Sequence, residues 1–565
     1  MTRRPLGWKC AAAVTTALWM GGCTQPTPAR AERAITFDRY HRVEEFQEYL
    51  AGAAREHSGL VTLHEIGQSR LGRPILAIEI NNPETGPAAE KPGFYLDGNI
   101  HGGEVLGGEG ALYFVDYLLT RYGADSAITN LVDTRAFYVV PLVNPDGRAI
   151  SVDTPENHRW NVRPVDEDGD GLVDEDPPED LDGDGRILQM RVPDPNGRWK
   201  ISPDDPRRML RRGRGENGGS YYQVYAEGVD SDGDGRFNED RVGGVDLNRN
   251  FPANWDPAQF ASGPYPLSEP ETHALVEYIT SRPNIAAIHT FHTSGGLLLR
   301  FPTLADQDWN FPQADLEDYR AIAEAGVEIT GYANFAYEKQ TIVDLMNPGH
   351  GVFNDWGSKV FGVLAMTTEM WRHAIGEGQD ALFAWNDSVL DGTGFVSWYP
   401  SNHPQLGPVE LGGWDRWSTA SPPEHLIEEE LHRNMRWVLT FAERLPRVVI
   451  LTAGARSGSA PGSVRVAAEV ANVGWMPTAT AHAAEVLGIA KPVRVRLSLT
   501  NAEITEGEAD IELGVLPGAR DDGPDTRVLS WSVRIIDRER DARADIEVWS
   551  EKGGVVRRSV RLPGS

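Results

Sequence analysis

The alternation of helical and strand-like segments over residues 37–445 constrains the fold of this 565-residue chain more than any other feature. The apolar stretch Leu106 to Leu119 has the length of a helix, and it lies between the short apolar segments Phe94 to Leu96 and Ala136 to Val143. A strand–helix–strand order favours an α/β architecture, in which ligands bind beyond the carboxyl ends of the strands. We therefore predict an α/β domain over residues 37–445, ending in the amphipathic helix Glu424 to Arg444.

A different pattern follows Pro446, where short strand-like segments alternate with turns rich in Gly, Pro and Asp. This pattern predicts a small β-sandwich accessory domain over residues 446–565 without a cluster of catalytic residue types. The predicted strands are Val464 to Val473, Val493 to Leu499, Ala509 to Leu516, Val528 to Ile536 and Ala544 to Trp549.

The N-terminus has the pattern of an export signal. Arg3, Arg4 and Lys9 precede the apolar run Cys10 to Met20, and small residues then lead to Cys23. Residues 1–23 are therefore predicted to be a secretory signal and residues 24–36 a linker. The small residues before Cys23 resemble a bacterial lipoprotein cleavage site, which implies a lipid anchor at Cys23 in the cell envelope. The alternative is ordinary signal cleavage and a secreted protein.

The charge and cysteine content limit the partners. With 83 acidic and 54 basic side chains the net charge is −29, which argues against nucleic acid or an anionic membrane surface as a partner. A membrane is expected only through the lipid anchor. The two cysteines, Cys10 and Cys23, both lie in the predicted signal, so we expect neither a disulfide nor a cysteine-based zinc site in the folded body.

An acidic insertion over about residues 164–241 repeats one motif three times. Carboxylates stand at every second position and a Gly follows, as in the first half of an EF-hand calcium loop. We predict structural Ca²⁺ here, and the alternative is a solvated acidic loop. The predicted calcium ligands are Asp166, Asp168, Asp170, Asp174, Asp180, Asp182, Asp184, Asp230, Asp232 and Asp234.

Three residues outside the insertion suit a zinc ion. His101 and Glu104 directly follow a predicted strand, and Zn²⁺ accepts both imidazole and carboxylate ligands. Two further histidines, His289 and His292, lie on the predicted strand Ile285 to Thr293 and must point to opposite faces of it. His289 shares its face with Phe291, so we expect His289 in the core and His292 at the site.

Three other segments complete the set of candidates. Asn144-Pro145-Asp146-Gly147 predicts a turn that closes the preceding strand. Asp246 could orient a ligand imidazole, and Arg249 beside Asn248 offers donors for a carboxylate. Glu369 ends an apolar strand, where a buried acid needs a partner or a role such as a base near a metal-activated water.

In this order the segments resemble the zinc metallocarboxypeptidases of the A, B and T types, from about Asp38 to about Leu445. The resemblance implies an α/β/α sandwich with a mixed central sheet. It also implies one catalytic Zn²⁺ bound by His101, Glu104 and His292, with Glu369 as the general base that activates the attacking water. Asp246 would then hold His101.

The resemblance also assigns substrate contacts. Asn248 and Arg249 would bind the terminal carboxylate of the peptide, and Asn354 would form the floor of the side-chain pocket. For the arginine that stabilises the oxyanion, Arg163 is the first choice and Arg159 the second. The family's mobile tyrosine corresponds to Asn347, and the polar floor leaves the side-chain preference open.

The predicted function is an exported zinc carboxypeptidase that acts on peptide or protein substrates and is made without an inhibitory pro-segment. Two alternatives stay open: an amidase of cell-wall or other amide substrates on the same zinc core, or a calcium-dependent surface binding protein with an inactive peptidase fold. The sequence leaves the physiological target and the oligomeric state undetermined.

Overall fold

The structure is a computed structural model that describes residues 35–166, 169–300, 312–334, 349–372, 378–460, 462–521 and 523–564. The predicted signal with Cys10 and Cys23, nearly all of the predicted linker, the calcium candidate Asp168 and the tyrosine position Asn347 lie outside these residues. In the described part, no helix combines the length and the apolar character needed to cross a bilayer.

The strands of the first 445 residues are β1 (Val61–Gln68), β2 (Pro74–Ile80), β3 (Gly93–Gly98), β4 (Ala136–Val140), β5 (Gln189–Pro193), β6 (Trp199–Ile201), β7 (Met209–Arg211), β8 (Tyr222–Ala226), β9 (Ile285–Thr293), β10 (Leu297–Arg300), β11 (Ala333–Asn334), β12 (Leu364–Met370), β13 (Phe395–His403) and β14 (Gly407–Trp414). The remaining strands are β15 (Val448–Ser457), β16 (Ser463–Asn472), β17 (Val493–Thr500), β18 (Ala502–Glu506), β19 (Asp510–Gly514), β20 (Thr526–Ile535), β21 (Arg543–Ser550) and β22 (Gly554–Arg561). The α-helices are α1 (Val43–Glu56), α2 (Val105–Arg121), α3 (Ser126–Thr134), α4 (Pro145–Asp153), α5 (Pro270–Thr280), α6 (Gln313–Thr330), α7 (Phe353–Trp356), α8 (Gly378–Val389), α9 (Arg416–Thr419), α10 (Glu424–Glu443) and α11 (His482–Val486).

The central sheet has eight strands in the order β1-β2-β4-β3-β9-β12-β10-β11. Its four inner strands β4, β3, β9 and β12 run parallel, whereas β1, β2 and β10 join the sheet antiparallel to a neighbour. The sheet is therefore mixed, as predicted. Because the inner strands are parallel, their carboxyl ends meet at one edge, where residues of β3, β9 and β12 can converge.

Helices cover both faces of this sheet, which confirms the predicted α/β/α sandwich. One core contains Leu112 and Phe114 of α2 and Trp437 and Phe441 of α10. The other contains Leu275 of α5 together with aromatic side chains of α7. Strands buried on both faces explain why β4, β9 and β12 are almost continuously apolar in sequence.

A second sheet of six strands, in the order β13-β14-β5-β8-β6-β7, was not predicted. Strands β5 to β8 come from the acidic insertion, and β13 and β14 form a hairpin near the end of the domain. The hairpin is joined to the insertion by the pairing of Glu410 on β14 with Arg191 on β5. Met190, Val409 and Leu411 form the small core of this sheet. Part of the insertion is thus a structured layer as well as a set of loops.

The C-terminal residues form two four-stranded sheets, β15-β16-β20-β18 and β19-β17-β21-β22. Side chains of both sheets share one core around Trp531, so the region is the predicted β-sandwich. Three of its strands, β15, β18 and β22, were missed because their exposed positions are mostly polar or basic.

The β-sandwich is packed firmly against the α/β domain. Met476, Ala481 and Ala483 belong to the same hydrophobic core as α2 and α10. The buried carboxylate of Asp315 on α6 accepts hydrogen bonds from the backbone of His482 and Ala483, at 2.7 and 2.8 Å. The two regions are therefore joined by shared core and by buried polar contacts.

Candidate active site

The loop between β3 and α2 carries the first two candidate ligands. Asn99 adopts a left-handed backbone conformation, with φ of 58°, which an asparagine tolerates. Its side-chain nitrogen donates to the carbonyl oxygens of His101 and Gly102, at 2.6 and 3.0 Å. Glu104 directly precedes α2. The buried side-chain amide of Asn99 therefore holds the loop that carries both candidate ligands.

The segment 144–147 supports this loop from the side. A Cβ on Gly102 would lie 2.3 Å from the carbonyl carbon of Gly147, so the two backbones can approach because Gly102 has no side chain. The predicted turn is wrong here, because the segment is the start of α4. The Asn144 side chain caps the helix by accepting from the Gly147 amide at 2.9 Å, and Pro145 occupies its first turn.

A buried ionic network underneath the loop was missed from the sequence. Arg148 of α4 donates to the Asn99 side chain at 3.1 Å and to the Val105 carbonyl at 2.9 Å. It also pairs with Glu109 of α2, whose second oxygen lies 2.9 Å from His41 Nδ1. All three charged or imidazole side chains are nearly inaccessible to solvent. The only sign of this network in the sequence was Arg148, directly after residues 144–147.

The third ligand and the proposed base are neighbours across two strands. His292 on β9 pairs in register with Glu369 on β12, and partners in parallel strands point to the same face. His289 lies on the opposite face, beside Phe291 and Trp437, where burial lowers its pKa to about 3. His289 is therefore a neutral core residue, as the sequence predicted.

The structure brings His101, Glu104 and His292 together. His101 Nδ1 lies 2.7 Å from one oxygen of Glu104, and His292 Nδ1 lies 2.9 Å from the other. The two Nδ1 atoms are 3.2 Å apart. Burial opposes the charge on Glu104, but the adjacent imidazoles hold the pKa of its carboxyl well below its usual value.

Asp246 supports His101 from behind. Its Oδ1 lies 3.1 Å from His101 Nε2, and we assign the imidazole proton to that nitrogen, which leaves Nδ1 free as a ligand. Burial disfavours the charge of Asp246, yet Arg159 holds the pKa of this carboxyl well below its usual value. The same Asp246 oxygen accepts from the backbone amide of Asn248 at 2.9 Å.

Glu369 is 9% exposed at the edge of this group. Burial, together with the charge of Glu104, raises the pKa of Glu369 to about 7. The positive charges of Arg159 and Arg249 act in the opposite direction, so both guanidinium groups lie within electrostatic reach of Glu369. A carboxyl group whose pKa is near neutrality is suited to exchange protons.

The arginine prediction needs correction. Arg159, the second choice, reaches the site, where it donates to Glu104 at 3.0 Å and to Asp246 at 3.1 Å. The first choice, Arg163, instead pairs with the buried carboxylate of Glu269 at 3.0 Å. The two arginines lie four residues apart in an irregular loop, where no periodicity indicates which side chain turns inward.

The three candidate substrate residues lie around this centre. Arg249 ends a 3-10 turn, Leu247–Arg249, and its Nη1 donates to the carbonyl of Asn248 at 2.8 Å. The Asn248 side-chain oxygen accepts from the Phe353 amide at 2.8 Å, which ties this turn to α7. Asn354 is buried in α7 and donates to Thr367 of β12 at 2.6 Å.

The three acidic loops of the insertion share one local conformation. In each loop the first aspartate accepts from the amides three and five residues later, as Asp230 does from Gly233 at 2.7 Å and Gly235 at 3.1 Å. Carboxylates gather in three groups: Asp230, Asp232 and Asp234; Asp180, Asp182 and Glu227; and Asp170, Glu175 and Asp232. Among the described residues, Asp166, Asp174 and Asp184 belong to none of these groups.

The buried triad fits a zinc ion. Its donor atoms lie within 4.8 Å of one another, and two imidazoles with one carboxylate are a common ligand set of catalytic zinc. Two imidazole nitrogens that face each other beside an ionised carboxylate provide lone pairs for one shared cation. A buried zinc-type triad beside a glutamate, at the carboxyl ends of parallel strands, defines the class of metal-dependent hydrolases.

Comparison with known proteins identifies the family. The family model described as zinc carboxypeptidase, Peptidase_M14, matches residues 46–379, which is more than half of the chain. The chain therefore belongs to the zinc carboxypeptidase family. Residues 447–561 match a family described as a domain of unknown function, DUF8731.

Several relatives share part of the chain. Carboxypeptidase M of Mus musculus is 34% identical over 130 residues, which cover 23% of this chain and 28% of that protein. Carboxypeptidase A2 of Mus musculus is 26% identical over 276 residues, which cover 47% of this chain and 48% of that protein. The matches thus span less than half of either relative. The crystal structure of carboxypeptidase A from Helicoverpa armigera shares 16% identity with a TM-score of 0.45, covering 72% of this chain and 74% of that chain.

Proposed function

We propose that this protein is a zinc carboxypeptidase that hydrolyses the C-terminal peptide bond of peptide or protein substrates. The observation that carries the proposal is the convergence of His101, Glu104 and His292 next to the buried Glu369. Zinc held by the triad would supply a Lewis acid that polarises the scissile carbonyl and lowers the pKa of a water molecule.

The residues around the triad have separate roles in this reaction. Glu369, in its ionised form, takes a proton from the attacking water and later delivers it to the leaving amine. Arg159 donates hydrogen bonds to the charge that develops on the carbonyl oxygen. Asn248 and Arg249 bind the terminal carboxylate, and Asn354 contributes a neutral polar group to the pocket for the last side chain.

The substitution Glu369→Gln tests this assignment, because it removes the base and keeps the shape of the side chain. We expect kcat to fall by about 10²–10⁴-fold on a blocked dipeptide with a free C-terminus, while bound zinc stays at one equivalent. Glu277→Gln, at an exposed position of α5, is the matched control. Unchanged turnover of Glu369→Gln would remove Glu369 from the mechanism.

Substrates with a blocked C-terminus separate an exopeptidase from a general amidase. If Arg249 binds the terminal carboxylate, amidation of the substrate should lower kcat/KM by at least about 10-fold, and Arg249→Gln should remove this difference. Equal hydrolysis of free and amidated peptides by the wild type would favour the amidase. Purified protein that contains stoichiometric calcium but no zinc, and that hydrolyses neither peptide, would favour the calcium-dependent surface binding protein.

We also propose that the acidic insertion binds structural calcium. Burial and the neighbouring Asp240 raise the pKa of Glu175 to about 7. Burial and the neighbouring Asp176 raise the pKa of Glu239 to about 7 as well. Without a cation, the two carboxylates of each pair would repel each other when both are ionised. Calorimetric measurement of the melting temperature at increasing calcium concentrations tests the proposal. The variant for comparison combines Asp230→Asn with Asp232→Asn. A wild-type protein whose melting temperature does not respond to calcium would contradict it.

Export and lipid attachment are proposals that rest on the N-terminal sequence. We expect the mature chain to begin at Cys23 and to carry a diacylglyceryl group on that cysteine. Mass spectrometry of the N-terminal peptide from membrane fractions would detect the modification. Cys23→Ser should prevent it, and a mature N-terminus elsewhere in the unmodified wild type would support simple secretion.

A further inference from the structure

A cavity of about 310 Å³ adjoins the active site where the acidic insertion meets the α/β domain. Its lining includes residues 155–160, Ile187, Leu188 and Arg241 of the insertion, and Arg416 of α9. We propose that this cavity is a substrate subsite that accepts an acidic side chain on the acyl side of the scissile bond. The inference rests on the proposed function and deepens it.

The cavity and the catalytic centre share the side chain of Arg159. Arg159 lines the cavity and at the same time donates to Glu104 and Asp246. The adjacent Asn157 packs against the ligand loop, because a Cβ on Gly103 would lie only 1.9 Å from its Oδ1. Neither Asn248 and Arg249, the candidates for the terminal carboxylate, nor Asn354, the candidate for the last side-chain pocket, lines the cavity. The cavity is therefore separate from the residues assigned to the leaving group, which suits a place on the acyl side.

The charged groups that line the cavity are mainly positive, although the protein carries a net charge of −29. Arg241 is exposed and has no hydrogen-bond or ion-pair partner among the described residues. Arg416 donates to the backbone carbonyls of Thr154 and Glu156, at 2.8 and 2.5 Å, and has no ion-pair partner among the described residues, although the charges of Asp415 and Glu156 act on it. The one acidic lining residue, Glu156, contacts His158 Nδ1 at 3.1 Å.

The chemistry of the occupant follows from this lining. A carboxylate can accept hydrogen bonds from Arg241 and Arg416, and its methylene groups can pack on Trp160, Ile187 and Leu188. Asp415, which directly precedes α9 and acts on the charge of Arg416, lies 3.3 Å from Arg186 and is therefore shared between two arginines. A volume near 300 Å³ suits one side chain with its backbone rather than a long peptide.

Pairs of blocked tetrapeptides test the proposal, with Glu or Gln at one of the two positions before the scissile bond. We expect wild-type kcat/KM to favour Glu by roughly tenfold at one of these positions. Arg241→Gln should abolish this preference and leave the kcat/KM for the Gln peptide unchanged. Arg416→Lys is the second variant. Arg236→Gln, an exposed arginine of the insertion that does not line the cavity, is the control.

The outcomes separate this proposal from the proposed function. Hydrolysis of both peptides with equal kcat/KM at both positions would overturn the subsite. If neither peptide is hydrolysed, the proposed function fails. The affinity of the protein for the Glu and the Gln peptide can then still be compared by tryptophan fluorescence. Tighter binding of the Glu peptide that Arg241→Gln removes would support the subsite, and equal binding would overturn it.

Discussion

The carboxylate of Asp246 joins three parts of the site, since it contacts His101, Arg159 and the backbone of the turn that carries Arg249. We expect Asp246→Ala to weaken zinc affinity by about 10–100-fold, because His101 would lose the partner that fixes its tautomer and orientation. Competition with a chromogenic chelator measures the affinity without using activity. Asp256→Ala, on the loop that follows, is the control, and equal affinities of wild type and Asp246→Ala would contradict the role.

Arg148 is the residue whose loss should damage the ligand loop most. Arg148→Met would leave Glu109 buried with only His41 as a partner and would release Asn99. The expected loss in the free energy of unfolding is about 3–5 kcal/mol, as for other buried pairs with one partner removed. Urea denaturation measures it. The double variant with Glu109→Gln should recover part of the loss, and a loss below about 1 kcal/mol would show that the network is not structural.

At the residue scale, the sequence was sufficient where periodicity applies. The period of two along β9 separated His292 from His289, whereas the register with β12, which places Glu369 next to His292, came from the structure. The sequence was insufficient for Arg159 and Arg163, because loop residues have no repeating orientation. The roles of Asn99 and Arg148 depend on contacts between α4 and the loop before α2, which no local pattern encodes.

The acidic loops should respond to pH and calcium together. The pKa values of Glu175 and Glu239 are near 7 in the folded protein, whereas the ordinary value for a glutamate side chain is 4.5. A raised carboxyl pKa contributes stability that is fully present below about pH 4.5 and is lost as the pH rises through about 7. We therefore expect calcium to raise the melting temperature more at pH 8 than at pH 5.

The control is the double variant Glu175→Gln with Glu239→Gln. In the absence of calcium, the melting temperature of this variant should depend less on pH than that of the wild type. Differential scanning calorimetry at several pH values, with calcium or with a chelator, measures both effects. A calcium effect of the same size at pH 5 and pH 8 would show that these two carboxylates do not control the response.

At the scale of elements, the buried strands and long helices were predictable because their apolar periodicity is local. Helix α2 and strands β9 and β12 coincide closely with their predicted segments. The sheet that contains β5 and β14 was not predictable, because the strands β5 to β8 of the insertion have only three to five residues and are mostly half-buried. The insertion and the hairpin are held together by the pairing of Glu410 with Arg191, which are far apart in the chain.

For the whole molecule, removal of residues 447–565 should destabilise the α/β domain. Its core would lose Met476, Ala481 and Ala483, and the buried Asp315 would lose both amide donors. We expect a lower melting temperature and a tendency to aggregate. The surface variant Arg557→Ala, which removes exposed ion pairs with Glu90 and Glu547, should have little effect. A truncated protein with the wild-type melting temperature would show that the two regions fold independently.

The amino-acid sequence by itself determined the α/β pattern and the β-sandwich, and the order of its motifs, through the family resemblance, implied the α/β/α layers and the three side chains of the metal-type triad. These depend on hydrophobic periodicity and on the order of short motifs along the chain, which are local properties. Only the tertiary structure brought Arg159 rather than Arg163 to the triad, joined the insertion to a distant hairpin, and formed the arginine-lined cavity beside the triad. Those features arise from contacts between residues far apart in the chain, and such contacts leave no periodic trace in the sequence.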